Sequence, residues 1–544
     1  MPKFESERIV TTPLTIVYKC DDGTDFPVVW NSLEDSEHIR VQVNSHWPDA
    51  MKPFDAVAWL MGELRATRAF EEADIPVQML FRPHLVPNGF LYVNRTPLSN
   101  EQQAIEDNKV QKFTNRMGGI LSVWENFCQP RIEECCARIR ASGAEVSTVE
   151  LVDTLGYAFH MTMVSLKTMA LVLKHLTDFL AEKLGAGVEI LSVELTAGGV
   201  NETLMADQVL WELAQLVRAS DSLKKIVLAT GLDQLIGVVS EVDQGHKFQM
   251  AFDDYLKRYG GRATRWESSY PTVREQPELS LESLQHAVIN NVPAPLEVQR
   301  GVLSKAEQLA TETENRLNAK DGKRETFRAL LEEVKPYVTI RENRAFWQLV
   351  DYGSLRVAVL RKGRNLVDAG AIVEVEDVFI LELAEIDRFL ADSSDSAKNL
   401  VEQRRKEWEF WNSKTPPRFI GHVVEPTQSE SESDDATDKA MRGLGVSRGV
   451  VTGRARVIMD LSDAPKFQPG EILVCVMTSP PWTILFTKAA AVVTETGAVL
   501  SHASIASREF GLPCVAAVQS VTTLIKDGML ITVDGTEGTV TIEE

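Results

Sequence analysis

Apolar positions change their period twice along this chain. In the first hundred residues they fall in short runs, RIVTTPLTIVYKC and NGFLYVNRTP, punctuated by Pro, Gly and Asn, a pattern that predicts short strands. From about 101 to 260 the period becomes helical, as in WENFCQPRIEECCARIRA and DTLGYAFHMTMVSLKTMALVLKHLTDFLAEKLGAG, the latter stopped by glycine. A second helical array is predicted from about 294 to 365. Beyond 443 the texture changes again. Glycine turns separate β-branched runs, GVVTGRARVIM, GEILVCVM, AAAVVTETG, GMLITVDG and GTVTIEE, with Asp534-Gly535 and Glu537-Gly538 as turns between strands. Between the two textures, residues 425–440 are acidic, polar and low in complexity, too poor in apolar surface to order themselves. The pattern predicts a multidomain α+β protein: a domain over 1–424, α/β at the start and then mainly helical; a linker over 425–440, either passive or a tether that permits motion; and a compact β/β/α domain over 441–544.

Composition narrows the function classes. The 544 residues carry a net charge of -21, which argues against nucleic acid or an anionic membrane as the main partner. The most apolar helical stretch, around 159–180, is interrupted by His160, Lys167, His175 and Asp178 and reads as a core helix, not a membrane span. The amino terminus, MPKFESER, has no apolar signal region. Six cysteines include no CxxC pair, and Cys135 and Cys136 are adjacent, which fits reduced structural thiols in a cytoplasm. No motif calls for a metal held by this chain.

Candidate chemistry concentrates in residues 494–513, TETGAVLSHASIASREFGLP. A buried strand runs into a glycine turn at Gly497, Ser501 stands where a helix N-cap belongs, and Gly511 with Pro513 supplies the stop. His502 is thereby predicted on the first helical turn, where free backbone N–H groups and the helix dipole favour an anionic phosphoryl group. Its neutral imidazole is a good nucleophile near pH 7. A solitary histidine at a helix start is more often structural; the residues around this one distinguish it.

Four stretches in order, GLGVSRGVVTGRARV, PGEILVCVMTSPPWTILFTKAAAVVTETG, LSHASIASREFGLPCV and DGMLITVDGTEGTV, resemble the swivelling phosphohistidine domain of the PEP-utilising enzymes, such as PEP synthase and pyruvate phosphate dikinase. The resemblance implies that His502 forms a covalent phosphohistidine, supported by Thr494, Thr496, Gly497, Ser501 and Arg508. Two positions depart from the family: Gly497-Ala498 replaces a frequent Gly-Gly pair, and Leu500 stands where the dikinases carry a regulatory threonine, as in the rifampicin phosphotransferases. The front part is similar to the helical substrate domain of rifampicin phosphotransferase and phenylphosphate synthase through HWPDAMKP, YGGRATRWESSYPTVREQP, TIRENRAFWQLV and EVEDVFILELAEI.

Neither a pyruvate-binding TIM barrel nor an ATP-grasp domain is recognisable, and the Gly-rich TAGGVNE at 196–202 lacks the order of a P-loop and reads as a surface turn. The resemblance therefore suggests the histidine-bearing subunit of a two-component phosphotransferase, as in phenylphosphate synthase or the alkylphenol (cresol) system. An ATP-grasp partner would bind ATP and Mg²⁺, and phosphate and AMP would be released. The acceptor would be the hydroxyl of a small aromatic compound. Arg341 and Arg344, three apart on one helix face, and Arg262 would stabilise the transferring group. His46 and Glu342 are candidate substrate-side bases. Two alternatives stand beside this reading: a phosphocarrier or regulatory protein, and an antibiotic phosphotransferase of the rifampicin type.

Overall fold

The computed structural model describes residues 14–30, 32–37, 39–43, 47, 49–61, 86–94, 99–185, 188–290, 292–317, 323–392, 396–421, 440–459, 461–478, 482–499 and 501–543. The linker expected at 425–440 lies outside the described residues except for Ala440, which opens a strand.

Two long helices form the axis of the front part. Thr148–Leu184 begins at Ser147, whose side chain accepts the Glu150 N–H at 3.1 Å, and its buried face includes Val152, Met161, Val172 and Leu176. Tyr337–Asp368 packs alongside it and buries residues over most of its length. The expected array at 294–365 is three helices, Pro295–Arg316, Lys323–Val334 and Tyr337–Asp368. Prolines make those starts: Pro295 opens the first, and Pro336 precedes the third. Around this axis one apolar core gathers Trp124, Phe248, Phe252, Tyr259 and Phe346, and a second gathers Trp47, Phe54, Leu355 and Phe379. A hairpin, Leu14–Lys19 with Asp25–Trp30, and a three-stranded sheet complete the front part. In that sheet Arg40–Gln42 lies between Tyr92–Asn94 and Phe419–Ile420, so the end of the helical region returns to its beginning.

The carboxyl part is built on one eight-stranded mixed sheet. Its centre is parallel: Val450–Val457, Ile472–Cys475, Ala491–Thr494 and Cys514–Ala516 lie side by side, flanked by antiparallel strands. Ile472–Cys475 and Ala491–Thr494 are buried at every position, which explains their unbroken apolar runs. Helix His502–Phe510 covers one face together with Trp482, Leu485 and Phe486; Val518, Val521 and Ile525 cover the other. A largely helical part followed by a β-rich domain is therefore the fold. All six cysteines are free, and no helix among the described residues is long and apolar enough to cross a membrane.

Candidate active site at the helix–sheet junction

The carboxyl ends of two adjacent parallel strands bring the key pair together. Beyond Ile472–Cys475 comes Thr478, and beyond Ala491–Thr494 the chain turns through Gly497 into helix His502–Phe510. Gly497 has φ +147°, and a Cβ there would lie 3.1 Å from Ser501 Oγ and 3.3 Å from the Ala516 Cβ, so the turn admits no side chain without a shift. Ser501 caps the helix by accepting the Ser504 N–H, and the Ser504 hydroxyl donates to the Ala498 carbonyl at 2.7 Å. Arg508 does not face the histidine's reactive edge: its guanidinium donates to the Val446 and Val499 carbonyls and so ties the loop down. The Thr496 hydroxyl donates to the Val476 carbonyl at 3.1 Å, and the buried Thr494 hydroxyl has no hydrogen-bond partner among the described residues.

His502 is 11% exposed in its side chain. Its Nδ1 lies 2.9 Å from the Thr478 Oγ1, and its ring meets Phe486 edge to face. Nε2 points the other way, 4.0 Å from Glu342 Oε2. Burial, and then the nearby Arg341 charge, push the imidazole pKa down to about 3, so the ring is neutral at physiological pH. The same burial raises the pKa of Glu342, and the His502–Glu342 contact is therefore not an ion pair of the ordinary kind. In the tautomer that donates Nδ1–H to Thr478, the Nε2 lone pair is the free nucleophile.

Nε2 opens into a cavity of about 240 Å³ between the helical part and the sheet domain. One wall is helix His502–Phe510 with Thr483, Phe486 and Thr487; the other is Asn201, Thr203, Leu204 and Asp207, the segment Val292–Gln299, and Glu342. The two parts are clasped by Lys488 Nζ and Glu282 Oε1 at 2.7 Å, both nearly buried, and by Gln299 Nε2 and Glu509 Oε1 at 3.5 Å. Three carboxyls share the space. Burial raises Asp207 to about 7, against the opposing charge of Arg262, and burial together with Glu342 raises Glu509 to about 8.

The sequence-derived candidates divide here. Arg341 acts through its charge on His502, Glu342 and Arg344. Arg344 donates to Gln348 Oε1 at 3.2 Å, while its buried Nε is unpartnered, and burial lowers its pKa to about 10. Arg262 does not join them: its Nε donates to the Tyr259 carbonyl, its guanidinium sits 5.1 Å over the Phe346 ring, and its charge acts on Asp207 and Tyr255. His46 lies outside the described residues.

Thr478, Asp207 and Glu509 were not singled out from the sequence. Glu509 could have been, since seven residues past His502 is the same helix face. The 196–202 turn is also not a free surface turn. Gly198 and Gly199 have φ +93° and +125°, the Gly199 carbonyl accepts from Gln299 at 2.7 Å, and a Cβ at 199 would strike Thr339 Oγ1 at 2.3 Å. It is pressed against the arginine-bearing helix and delivers Asn201 to the cavity wall.

This histidine on a glycine-turn helix corresponds to a known domain: residues 467–538 match the PEP-utilising enzyme mobile domain, and residues 157–342 match the rifampicin phosphotransferase fourth domain. The chain carries a PEP-utilising enzyme mobile domain. A rifampicin phosphotransferase of Streptomyces sviceus is 31% identical over 373 residues, covering 68% of this chain and 42% of the relative. A second, from Bacillus subtilis, is 30% identical over 318 residues, 57% of this chain and 36% of the relative. An uncharacterised phosphotransferase of Bacillus subtilis is 28% identical over 360 residues, 64% of this chain and 43% of the relative. The matched stretch spans about two fifths of the length of these PEP-utilising relatives.

Proposed function

We propose that this chain carries a phosphoryl group on His502 Nε2 and delivers it to the hydroxyl of a small organic acceptor bound against the helical part. The single observation that carries the reading is the orientation of His502: Nδ1 is engaged by Thr478, and Nε2 faces a cavity whose far wall belongs to the helical part. Arg341 and Arg344, whose charges act on Glu342 from behind the cavity wall, would stabilise the equatorial phosphoryl oxygens, over which the charge of a loose phosphoryl-transfer transition state is spread. ATP does not suit this cavity, because three carboxyls line it and, where ionised, repel a triphosphate. ATP and Mg²⁺ are better assigned to a separate ATP-grasp module that loads His502 with the β-phosphoryl and releases AMP and phosphate.

The named relatives favour an acceptor of the rifampicin type over the simple phenols that the two-component systems phosphorylate. A second reading, a small phenol, is favoured by size: the cavity of about 240 Å³ lies below the roughly 300–1,000 Å³ that drug-sized ligands occupy. One experiment separates these from a carrier that only passes phosphate on. The chain is phosphorylated chemically with phosphoramidate, followed by ³¹P NMR, and then challenged with rifampicin or with phenol. A phosphorus–nitrogen signal that is absent in His502→Ala and is discharged by one of the two acceptors supports the enzyme and names its acceptor class. A stable phosphohistidine unaffected by either points to the carrier.

A further inference from the structure

We infer that Asp207 is the general base that takes the acceptor's hydroxyl proton, with Arg262 as its positioning counter-charge. The inference rests on the acceptor reading above and adds the group that reading lacked.

Three acids face the cavity, and geometry gives them different work. Glu342 lies 4.0 Å from His502 Nε2, in the space a phosphoryl group on that nitrogen would enter. An ionised carboxylate there repels the donor, whereas its protonated form donates a hydrogen bond to a phosphoryl oxygen. Glu509 is on the histidine's own helix and is tied across the junction to Gln299. Asp207 is on the opposite wall, on helix Glu202–Arg218, with no hydrogen bond to it among the described residues and with the Arg262 charge drawing its pKa down. It is thus the acid that an acceptor lying between the walls meets on the side away from phosphorus. The titratable and charged groups around it are Arg262, Tyr255 and Glu509. Burial brings its pKa to about 7, where a base works best at neutral pH.

The step balances without a further reactant. The donor is His502 phosphorylated on Nε2 with its Nδ1–H donated to Thr478. The acceptor oxygen forms the new O–P bond as the N–P bond breaks, and the N–P electron pair stays on Nε2, leaving neutral imidazole. The hydroxyl proton moves to the Asp207 carboxylate, giving a phosphate monoester and a neutral Asp207.

The test compares two acceptors that differ only in needing a base. At pH 8 phenol, with a pKa of about 10, is protonated, while 4-nitrophenol is largely ionised. The full chain and its Asp207→Asn and Asp207→Glu variants are loaded with phosphoramidate, and loss of the phosphohistidine signal is timed with each acceptor. Discharge to phenol is expected to slow by about 10²–10³-fold in Asp207→Asn and to recover in part in Asp207→Glu, while discharge to 4-nitrophenol stays within about fivefold. Loading that matches the unsubstituted chain shows the variant has folded. Equal slowing for both phenols, or none for either, overturns the base. An unsubstituted chain that keeps its phosphoryl group against both phenols overturns the phenolic acceptor instead.

Discussion

On one side of the cavity the ionisable groups, His502 and Glu509, come from a single capped helix of nine residues, His502–Phe510. On the other the wall comes from residues some hundred and forty positions apart: Asn201 to Asp207 on one helix, Val292 to Gln299 before and within a second, and Glu342 on a third. The charge is divided as unevenly as the sequence positions. The histidine wall offers Thr483, Phe486, Thr487 and Ala506 around a neutral imidazole, with Glu509 its one ionisable neighbour on the cavity. The helical wall brings Asp207 and Glu342, with Arg262, Arg341 and Arg344 acting on them from behind. Under the proposed function, a carrier meeting two different partners would gain from this division. If the moving part holds only the nucleophile, and each partner holds its own charges, one imidazole serves both reactions without being tuned for either.

The sharpest way to break that comparison is to remove the stationary charge and leave the nucleophile alone. Arg341→Ala and Arg344→Ala are expected to slow discharge of phospho-His502 to an acceptor by about 10²–10³-fold each, the range for losing one preorganised electrostatic contact. Loading by phosphoramidate should persist in both. Arg341→Ala should also raise the His502 pKa, because the Arg341 charge holds it down. A pH titration of the ring signals checks this. If either variant fails to load as readily as it fails to discharge, the charge is not confined to the acceptor wall.

A smaller effect is expected at the exception, Glu509. Burial and the neighbouring Glu342 raise its carboxyl to about 8, while Gln299 hydrogen-bonds it across the junction; Asp207 and Arg508 are the other charges acting on it. A carboxyl raised above its unperturbed value of about 4.3 stabilises the closed junction fully below that value. The contribution is lost as pH rises through about 8. Modification of His502 by diethyl pyrocarbonate should therefore accelerate several-fold between pH 7 and pH 9. Above pH 7 the free imidazole is already neutral, so the rate reports access alone. Glu509→Gln should flatten that rise, and an unchanged rise would place the opening elsewhere.

The two walls also differ in how legible they are from sequence. The strand, glycine turn, Ser501 cap, His502 and Gly511 stop are adjacent in the chain, so local rules of capping and turn chemistry describe the observed geometry almost completely. Arg341, Glu342 and Arg344 were visible as a group because they share one helix. Asp207 was not: it sits in an ordinary amphipathic helix, and only the packing of Glu202–Arg218 against Pro295–Arg316 and the histidine domain encloses it. The 196–202 segment is a turn with Val200 exposed, but one side of it is not legible from sequence for the same reason. Its two positive-φ glycines fit a turn, but only the arrival of Thr339 and Gln299 from other helices covers one side of it. Arg262 looked like a third member of the arginine group, yet the fold stacks it on Phe346 and turns it toward Asp207.

The smallest expected effect tests whether the histidine wall is as self-contained as it looks. The Ser501 side chain accepts the Ser504 N–H at 3.4 Å and meets the Ser504 hydroxyl at 2.8 Å. Ser501→Ala frees that N–H at the start of the helix, a loss of about 1 kcal/mol for a missing N-cap. Thermal unfolding should register it as a midpoint lower by a few degrees. Phosphorylation changes the balance. A phosphoryl group on His502 brings negative charge to the same helical turn, where a freed N–H and the dipole can meet it. The drop caused by Ser501→Ala should therefore be smaller in the phosphorylated chain than in the unmodified one. Equal drops in both would mean that the cap only shapes the helix, and that the anion is held by the arginines of the opposite wall alone.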